Sequence, residues 1–378
     1  MKKLQINDEC KRNFCVVIPS LLRAGYTPIF NLTSLLSKLG SVYLISGKQL
    51  YDGLKLNINV ANSVNSRLRI RLLNYILTQI KVLLYTIFTS RKSNYFVFFL
   101  GGEGLFIPIL ALKLLRKNVI LLTGGTSVKI YKIREDPLSN FLSLLVAANF
   151  FLADKIITYS RALMQELNLK WNKTVFAHEH FIDFTIFSVR EKYKERANIV
   201  GYIGRFSKEK GILNFMTSIF LVLKHKKDVH FMVCGDGELR SDVEKITREG
   251  CLEEYVKLTG WIPHKNVPEI LNKFKLLVLP SCSEGLPNVI LEAMACGTPV
   301  LATPVGAIPD IIKDGETGFL LKSNDPKHIA DKIIELLNKP ELLEKVSKNA
   351  YNYVRENFSY EKTLESWRKI IREIEAQK

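Results

Sequence analysis

Residues 276–304 read LLVLPSCSEGLPNVILEAMACGTPVLATP, and this stretch decides the fold class. It opens with a continuous apolar run that stops at Pro280, which is typical of a short buried strand. Pro287 stands where the first residue of a helix is expected, because a missing N–H costs nothing there. Gly297 is placed to end that helix, and the next apolar run predicts a second buried strand. The order strand, loop, helix, strand is typical of an α/β protein.

Two carboxylates bracket the loop of this unit. Glu284 lies in the loop, and Glu292 lies about two turns into the predicted helix. A helix start presents backbone N–H groups and a positive dipole end, which suit a phosphate, and carboxylates accept hydrogen bonds from sugar hydroxyls. A nucleotide-sugar supplies a ribose, a diphosphate and a second sugar, so it matches this pattern. The alternative is a pair of surface acids on an ordinary strand–helix unit.

These residues resemble the donor-binding signature of the retaining GT-B-fold glycosyltransferases, the group related to glycogen and sucrose synthases. The family pattern is Glu, seven residues, Glu, an alanine-rich segment and Gly-x-Pro-Val, and here it runs from Glu284 to Val300. The resemblance implies an α/β fold of GT-B architecture, with two doubly wound Rossmann-like domains facing a central cleft. It also implies that Glu284 holds donor-sugar hydroxyls and Glu292 the ribose, helped by the loop of Gly285, Leu286, Pro287 and Asn288.

A second motif follows the strand predicted over residues 199–204. Residues 204–211 read GRFSKEKG and lead into a predicted helix. Arg205 offers a planar fork and Lys210 a point charge, which suit a diphosphate at a helix start; a solvated basic loop is the alternative. The segment resembles the Gly-Arg…Lys-Gly phosphate clamp of the family. The resemblance implies that Gly204 belongs to the donor site and that Arg205, Lys210 and Glu284 are catalytic.

Two further turns follow predicted strands in the second half of the chain. Gly235 opens a Gly-x-Gly turn, which resembles the family turn that lets the backbone approach the nucleotide. Trp261 and Ile262 stand where the family lines the base pocket. For Trp261, a place in the hydrophobic core is the alternative.

The first half of the chain matches the family more loosely. Relatives have a glycine-rich first loop that lies against the donor or acceptor, and in this chain Gly25 is the one glycine of that loop. Either the loop has a binding role, or it is a plain turn. Many relatives carry a histidine in this half that contacts the donor sugar, but this chain has none before His178. Three residues in glycine loops are candidates to replace it on the acceptor side: Glu103, Thr126 and Ser127.

The length of 378 residues predicts two domains. Residues 190–198 are mostly charged and polar, which is typical of a linker. We therefore expect an N-terminal acceptor-binding domain over residues 1–190 and a donor-binding domain over residues 191–359. The resemblance implies that the amphipathic helix at residues 360–378 crosses back onto the first domain.

The net charge of +17 is concentrated in the first 190 residues, which hold 25 Lys and Arg against 10 Asp and Glu. A helix predicted over residues 67–88 mixes basic and apolar residues. It either covers the sheet with a solvated basic edge or meets an anionic membrane surface. Nucleic acid is not an expected partner, because the basic residues are not interleaved with a motif that reads bases.

We expect neither a cofactor nor a bound metal. No two aspartates lie two positions apart, so the Asp-x-Asp motif of the other transferase fold is absent. His178 and His180 have no evident third ligand. The cysteines lack Cys-x-x-Cys spacing and no signal-peptide core is present, so we expect a cytoplasmic protein, with peripheral attachment to the inner face of the cell membrane as an option.

The expected function is transfer of a sugar from a UDP- or GDP-sugar to an acceptor hydroxyl, with retained anomeric configuration and without metal. The resemblance implies a cell-surface glycan or a lipid-linked saccharide as the acceptor. One alternative is a GT-B epimerase or hydrolase of sugar nucleotides, which acts without an acceptor. The other is a catalytically silent GT-B scaffold that binds a membrane or partner proteins.

Overall fold

The structure is a computed structural model that describes residues 12–19, 26–46, 68–124 and 138–376. The chain divides into two compact units: Met1–His180 with Thr363–Lys378 form unit 1, and Phe181–Lys362 form unit 2. Residues 190–198, which the sequence predicts to be a linker, are therefore part of unit 2. Three predicted acceptor-side residues lie outside the described residues: Gly25, Thr126 and Ser127.

Unit 1 is a parallel sheet covered by helices. Its strands are β1 Asn13–Ile18, β2 Ser41–Ser46, β3 Tyr95–Phe98, β4 Asn118–Thr123, β5 Lys155–Thr158 and β6 Thr174–Phe176. The described helices between them are α1 Tyr26–Ser37, α2 Leu68–Ser90, α3 Phe106–Leu114, α4 Ser139–Leu152 and α5 Arg161–Glu166. The strand order is β2-β1-β3-β4-β5-β6. Every residue of β3 and β4 is buried, because strands of a parallel sheet are covered on both faces.

Unit 2 repeats this architecture. Its strands are β7 Ile199–Ile203, β8 His230–Cys234, β9 Val256–Gly260, β10 Leu276–Leu279, β11 Val300–Ala302 and β12 Phe319–Leu320. Its helices are α6 Ile212–His225, α7 Arg240–Glu249, α8 Val267–Lys273, α9 Asn288–Ala295, α10 Ile308–Ile311, α11 Pro326–Leu337 and α12 Pro340–Asn357. The strand order is β12-β11-β10-β7-β8-β9.

The stretch that decides the fold becomes β10, α9 and β11. Leu277 pairs with Val300 and Leu279 with Ala302 in a parallel register. Helix α9 begins one residue later than the sequence predicts, because Pro287 keeps an extended ψ of 118° and is the residue before the helix. Gly297 ends the helix with a φ of +66°, a conformation that favours glycine.

The strand order of unit 2 reverses between β10 and β7. From β7 the chain proceeds to β8 and β9 on one side, and from β10 to β11 and β12 on the other. Such a switch point leaves a crevice at the carboxyl ends of the two strands, where α/β proteins bind ligands. The topology therefore places the loops after β7 and β10 beside a ready-made binding position.

The last helix, α13 Tyr360–Ala376, contributes most of its length to unit 1. Trp367 is fully buried, and its indole Nε1 donates a hydrogen bond to the carbonyl oxygen of His178 at 2.9 Å. Near the end of the helix, Glu375 accepts two hydrogen bonds from Arg12 at 2.7 and 2.8 Å. These contacts attach α13 to the segment before β1 and to the segment after β6 of unit 1.

Candidate functional site

Four loops leave the carboxyl ends of adjacent strands in unit 2: residues 204–211 after β7, 235–239 after β8, 261–266 after β9 and 280–287 after β10. Backbone hydrogen bonds tie them together. The amide of Phe206 donates to the carbonyl oxygen of Asp236 at 2.9 Å, and that of Cys282 donates to Glu209 at 2.8 Å. The loops are therefore one hydrogen-bonded assembly.

Glycine permits the close approach of these backbones. A Cβ atom at Gly235 would lie 1.9 Å from the carbonyl oxygen of Gly204, and one at Gly211 would lie 2.1 Å from that of Pro280. Gly235 also donates its amide to the carbonyl oxygen of Gly260 at 2.8 Å. Side chains at these positions would push the loops apart.

Lys210 and Glu284 form an ion pair. Lys210 Nζ lies 2.6 Å from Glu284 Oε1 and 2.7 Å from Oε2, and the Ser281 hydroxyl donates to Oε1 at 2.7 Å. An ammonium group has three donors and a carboxylate about four acceptor positions. Each partner thus keeps hydrogen-bonding capacity for a ligand while it neutralises the other.

Arg205 is oriented by a carboxylate that the sequence analysis did not assign to the site. Arg205 Nη2 lies 2.6 Å from Oε1 of Glu209, whose side chain is 2% exposed. Among the buried polar atoms of the loops, Arg205 Nε, Ser207 Oγ and Ser283 Oγ have no hydrogen-bond partner in the described part of the chain. Buried polar groups are rarely left unpaired in proteins, so these atoms fit a site that a polar ligand completes.

Glu292 is paired with His264. His264 Nε2 lies 2.8 Å from Glu292 Oε1, and the imidazole is half exposed while the carboxylate is almost fully buried. The hydrogen bond to Glu292 raises the pKa of His264 above its ordinary value, against the opposing effect of burial. Sequence reasoning missed His264, although it lies in the same loop after β9 as Trp261 and Ile262, two positions beyond Ile262.

Trp261 lies on the surface with 49% of its area exposed, and Ile262 is half-buried. Trp261 is therefore not a core residue. The preceding residue, Gly260, links this loop to the loop after β8, because its carbonyl oxygen accepts a hydrogen bond from the Gly235 amide. An exposed aromatic ring at this edge is available to stack on a ligand.

The loop before α9 is held by backbone contacts. The carbonyl oxygen of Gly285 accepts a hydrogen bond from Ala307 at 2.8 Å, and Leu286 is buried. Asn288 begins the helix, whose first backbone N–H groups have no acceptor within the helix. The loop thus places Glu284 and the positive end of α9 in adjacent positions.

The carboxyl edge of unit 1 holds a separate cluster of polar residues. Glu103 is buried in the turn after β3, and its carbonyl oxygen accepts a hydrogen bond from Asn149 at 2.7 Å. The Tyr159 hydroxyl donates to Glu179 at 3.0 Å, and burial, with Glu179 beside it, raises the pKa of Tyr159. Glu179 was missed by sequence reasoning because it lies between two histidines that invite a metal-site interpretation.

In the described part of the chain, no group of three or more His, Cys, Asp or Glu residues is arranged to hold a metal ion. His178 and His180 are instead joined by a hydrogen bond between His178 Nδ1 and the His180 carbonyl oxygen at 2.9 Å. Burial lowers the pKa of His178 to about 4, so the imidazole is neutral at ordinary pH.

The sequence matches a known family and known relatives. Residues 183–353 match the profile of the family described as glycosyl transferases group 1. Alpha-D-kanosaminyltransferase from Streptomyces kanamyceticus is 34% identical over 43% of this chain and 42% of its own. The capsular polysaccharide biosynthesis glycosyltransferase CapM from Staphylococcus aureus is 31% identical over 58% of this chain and 61% of its own. The chain thus matches less than two thirds of the length of these relatives.

Solved structures match nearly the whole chain at low sequence identity. Sucrose-phosphate synthase from Thermosynechococcus elongatus superposes with a TM-score of 0.75, covering 97% of this chain and 100% of its own at 18% identity. Anabaena HepE, solved with UDP-glucose, gives a TM-score of 0.72, with 95% and 99% coverage at 15% identity. These matches confirm the predicted α/β fold of GT-B architecture. The chain therefore has the GT-B fold, and its residues 183–353 match the family described as glycosyl transferases group 1.

Proposed function

We propose that the protein transfers a sugar from a nucleoside-diphosphate sugar to an acceptor hydroxyl, with retained anomeric configuration. The observation that carries this proposal is the placement of Arg205, Lys210 and Glu284 on the loops after β7 and β10, at the switch point of unit 2, with Glu292 on the helix α9 that follows the second loop. Cations that suit a diphosphate and carboxylates that suit sugar hydroxyls stand together at the position where the fold binds ligands.

Arg205 and Lys210 would hold the diphosphate, together with the backbone N–H groups at the start of α9. Charge develops on the diphosphate as the bond to the sugar breaks, and fixed positive groups stabilise it most in that transition state. Glu209 holds the Arg205 guanidinium in place. Arg205 Nε has no partner among the described residues, so its N–H can donate a hydrogen bond to a phosphate oxygen.

Glu284 and Glu292 would hold the two sugars. The acceptor capacity that Lys210 and Ser281 leave on Glu284 suits a hydroxyl of the transferred sugar. Glu292 bonds His264 through Oε1, and its second oxygen suits the ribose hydroxyls. Trp261 and Ile262 would line the base, with the Gly235 turn beside them.

UDP- and GDP-sugars are the proposed donors, and a polysaccharide or lipid-linked saccharide is the proposed acceptor. HepE of the same fold was solved with UDP-glucose, and the relative CapM is named for capsular polysaccharide biosynthesis, which supports these classes. We further propose that transfer needs no divalent metal, because the diphosphate charge has Arg205, Lys210 and the start of α9 as partners. Activity that a chelator abolishes and Mn²⁺ restores would contradict this part.

A thermal-shift screen against UDP-, GDP-, ADP- and CMP-sugars tests the donor class, because a ligand that binds the folded state raises its melting temperature. A donor is expected to stabilise the wild type but neither Arg205→Ala nor Glu292→Ala. Arg248→Ala changes an exposed arginine of α7 and serves as the matched control. Product analysis with the donor alone separates transfer from the rival reactions, since an epimerase or hydrolase would act without an acceptor.

A further inference from the structure

Helix α2 is apolar on its solvent side, and the side that packs against the rest of unit 1 is mostly polar, with Val82 as its buried apolar residue. Thr78, Gln79, Thr86 and Thr89 are buried. Large apolar side chains are exposed along the opposite side, among them Leu73 at 56%, Leu84 at 62% and Phe88 at 60%. A helix that covers a sheet in water normally shows the reverse pattern. Within residues 72–90, Lys81 is the one charged residue, and it is exposed.

Hydrogen bonds hold α2 along the surface of unit 1. Tyr75 and Gln79 donate to the carbonyl oxygen of Gly104 at 2.5 and 3.1 Å, and the amide of Ile107 donates to Gln79 at 3.1 Å. By length and composition, residues 72–90 could also cross a membrane. These contacts fix the helix instead beside α3, with its apolar side outward.

Helices α3 and α4 continue this surface. Ile107, Leu110 and Leu114 form an exposed stripe on α3, and Phe141, Leu144 and Phe151 form one on α4. Helices α2, α3 and α4 each connect to the next strand in the same direction across the sheet. Right-handed crossovers place such helices on the same side of a sheet. We call this shared apolar surface the α2–α4 face.

The charge around the α2–α4 face is mainly positive, and Asp154, which precedes β5, is paired with Lys113 of α3 at 2.5 Å. Helices α2, α3 and α4 contain no Asp or Glu. Each helix leads to the start of a parallel strand, so the three end at the same edge of the sheet. Basic residues cluster at this edge, in the segments before β3, β4 and β6: Arg91, Lys92, Arg116, Lys117, Lys170 and Lys173.

Aromatic rings lie among these basic residues. Lys170 and Lys173 hold their ammonium groups 5.7 and 5.5 Å from the ring centre of Phe151, which is 69% exposed. Trp171 is 61% exposed, with Arg161 5.9 Å from its ring centre. Aromatic and basic residues beside an apolar surface are typical of a protein that rests in the headgroup region of a membrane.

We propose that the α2–α4 face docks on an anionic lipid bilayer, with its apolar side chains at the acyl boundary and its basic edge on the headgroups. The face suits a bilayer better than a protein partner, because it is broad, apolar across three helices and free of acidic residues in them. The proposal concerns unit 1 and does not depend on the donor chemistry of unit 2.

Vesicle co-sedimentation of the full chain tests this proposal. Wild-type protein should bind vesicles of phosphatidylcholine with phosphatidylglycerol, bind phosphatidylcholine alone far more weakly, and lose binding at high salt. Leu84→Glu with Phe88→Glu should lower binding about tenfold or more. Leu114→Glu, at a side chain 77% exposed on α3, is the independent second variant. Phe220→Glu on α6 of unit 2 is the matched control, because Phe220 is also exposed.

The basic edge is tested by Arg91→Glu with Lys92→Glu, which should weaken binding to the anionic vesicles. Lys227→Glu with Lys345→Glu changes the net charge equally at exposed sites of unit 2 and should leave binding unchanged. Equal binding to both vesicle types, or α2 and α3 variants that bind like the wild type, would overturn the proposal. So would a wild-type dimer in sedimentation velocity that Leu84→Glu with Phe88→Glu converts to a monomer, since a second copy would then cover the face.

Discussion

At the scale of single residues, the site consists of hydrogen-bonded pairs of one basic and one acidic side chain. Arg205 is held by Glu209, Lys210 by Glu284, and Glu292 by His264. The motifs alone predict four of these six residues. Glu209 and His264 escape prediction because a partner is chosen by proximity in space: His264 lies 28 positions from Glu292 in the chain, and no spacing rule links them.

Loss of Lys210 should destabilise the fold as well as donor binding. Lys210→Met leaves the Glu284 carboxylate, 5% exposed, with Ser281 as its remaining hydrogen-bond donor, so we expect a loss of about 2 kcal/mol in the free energy of unfolding. Adding Glu284→Gln removes the unpaired charge and should recover most of that stability without restoring transfer. Urea denaturation measures both variants. A double variant no more stable than Lys210→Met would show that the pair does not act as described.

The His264–Glu292 pair should make stability depend on pH. The pKa of His264 is raised above its ordinary value of 6.5, so the stabilising contribution is fully present below that pH and is lost as pH rises through the raised pKa. The stability difference between wild type and His264→Ala should therefore be largest in mild acid and shrink toward alkaline pH. It should stay below about 1 kcal/mol, because the imidazole is half exposed. A difference that grows with pH in urea denaturation would refute the assignment.

At the scale of elements, helix α9 is anchored at the end remote from the ligand position. Arg196 Nη2 donates to the carbonyl oxygen of Cys296 at 2.7 Å, and Nη1 donates to Thr298 Oγ1 at 2.8 Å. Arg196 is 3% exposed, although it lies in a segment whose composition is typical of a linker. Composition reports how polar a segment is, but it cannot report that a buried guanidinium satisfies the carbonyl groups at a helix end.

Arg196→Met should lower the free energy of unfolding by about 3 kcal/mol, because the carbonyl groups at the end of α9 lose their donors in a buried setting. We also expect a higher KM for the donor, since α9 carries Glu292. Arg248→Met, at an exposed site, should change stability by less than about 0.5 kcal/mol. If Arg196→Met unfolds at the same urea concentration as the wild type, the anchoring role is wrong.

The elements themselves were largely predictable. Buried strands such as β10 are short apolar runs with turn residues at their ends, and α9 ends where Gly297 requires it to end. The orientation of α2 was not predictable, because periodicity shows that a helix has two unlike faces but not which of them packs inward. The buried threonines of α2 and its exposed leucines emerge only from the packing.

At the scale of the whole molecule, the two units share one architecture, a six-stranded parallel sheet, but carry different sets of polar and apolar residues. Unit 2 holds the paired charges at its switch point, and unit 1 holds the basic, apolar surface and the buried Glu103 and Glu179. The chain leaves unit 1 near residue 180 and returns to it at residue 363. Unit 1 is therefore complete only when α13 is in place.

Trp367→Ala should destabilise unit 1 by about 3 to 5 kcal/mol, because it empties a fully buried position of α13 and removes a hydrogen bond to His178. Calorimetry should show an early transition for unit 1, while the donor still stabilises the later transition of unit 2. Trp367→Phe keeps most of the buried volume and should lose less. A single transition shifted as a whole would contradict independent stabilities for the two units.

The most direct measurement of the central claim is a crystal structure of the protein with the nucleoside diphosphate identified by the thermal-shift screen. We predict a diphosphate at the start of α9, within hydrogen-bonding distance of Arg205 and Lys210, with the ribose hydroxyls on Glu292. A nucleotide bound away from these residues, with the Lys210–Glu284 pair closed and unoccupied beside it, would contradict the account.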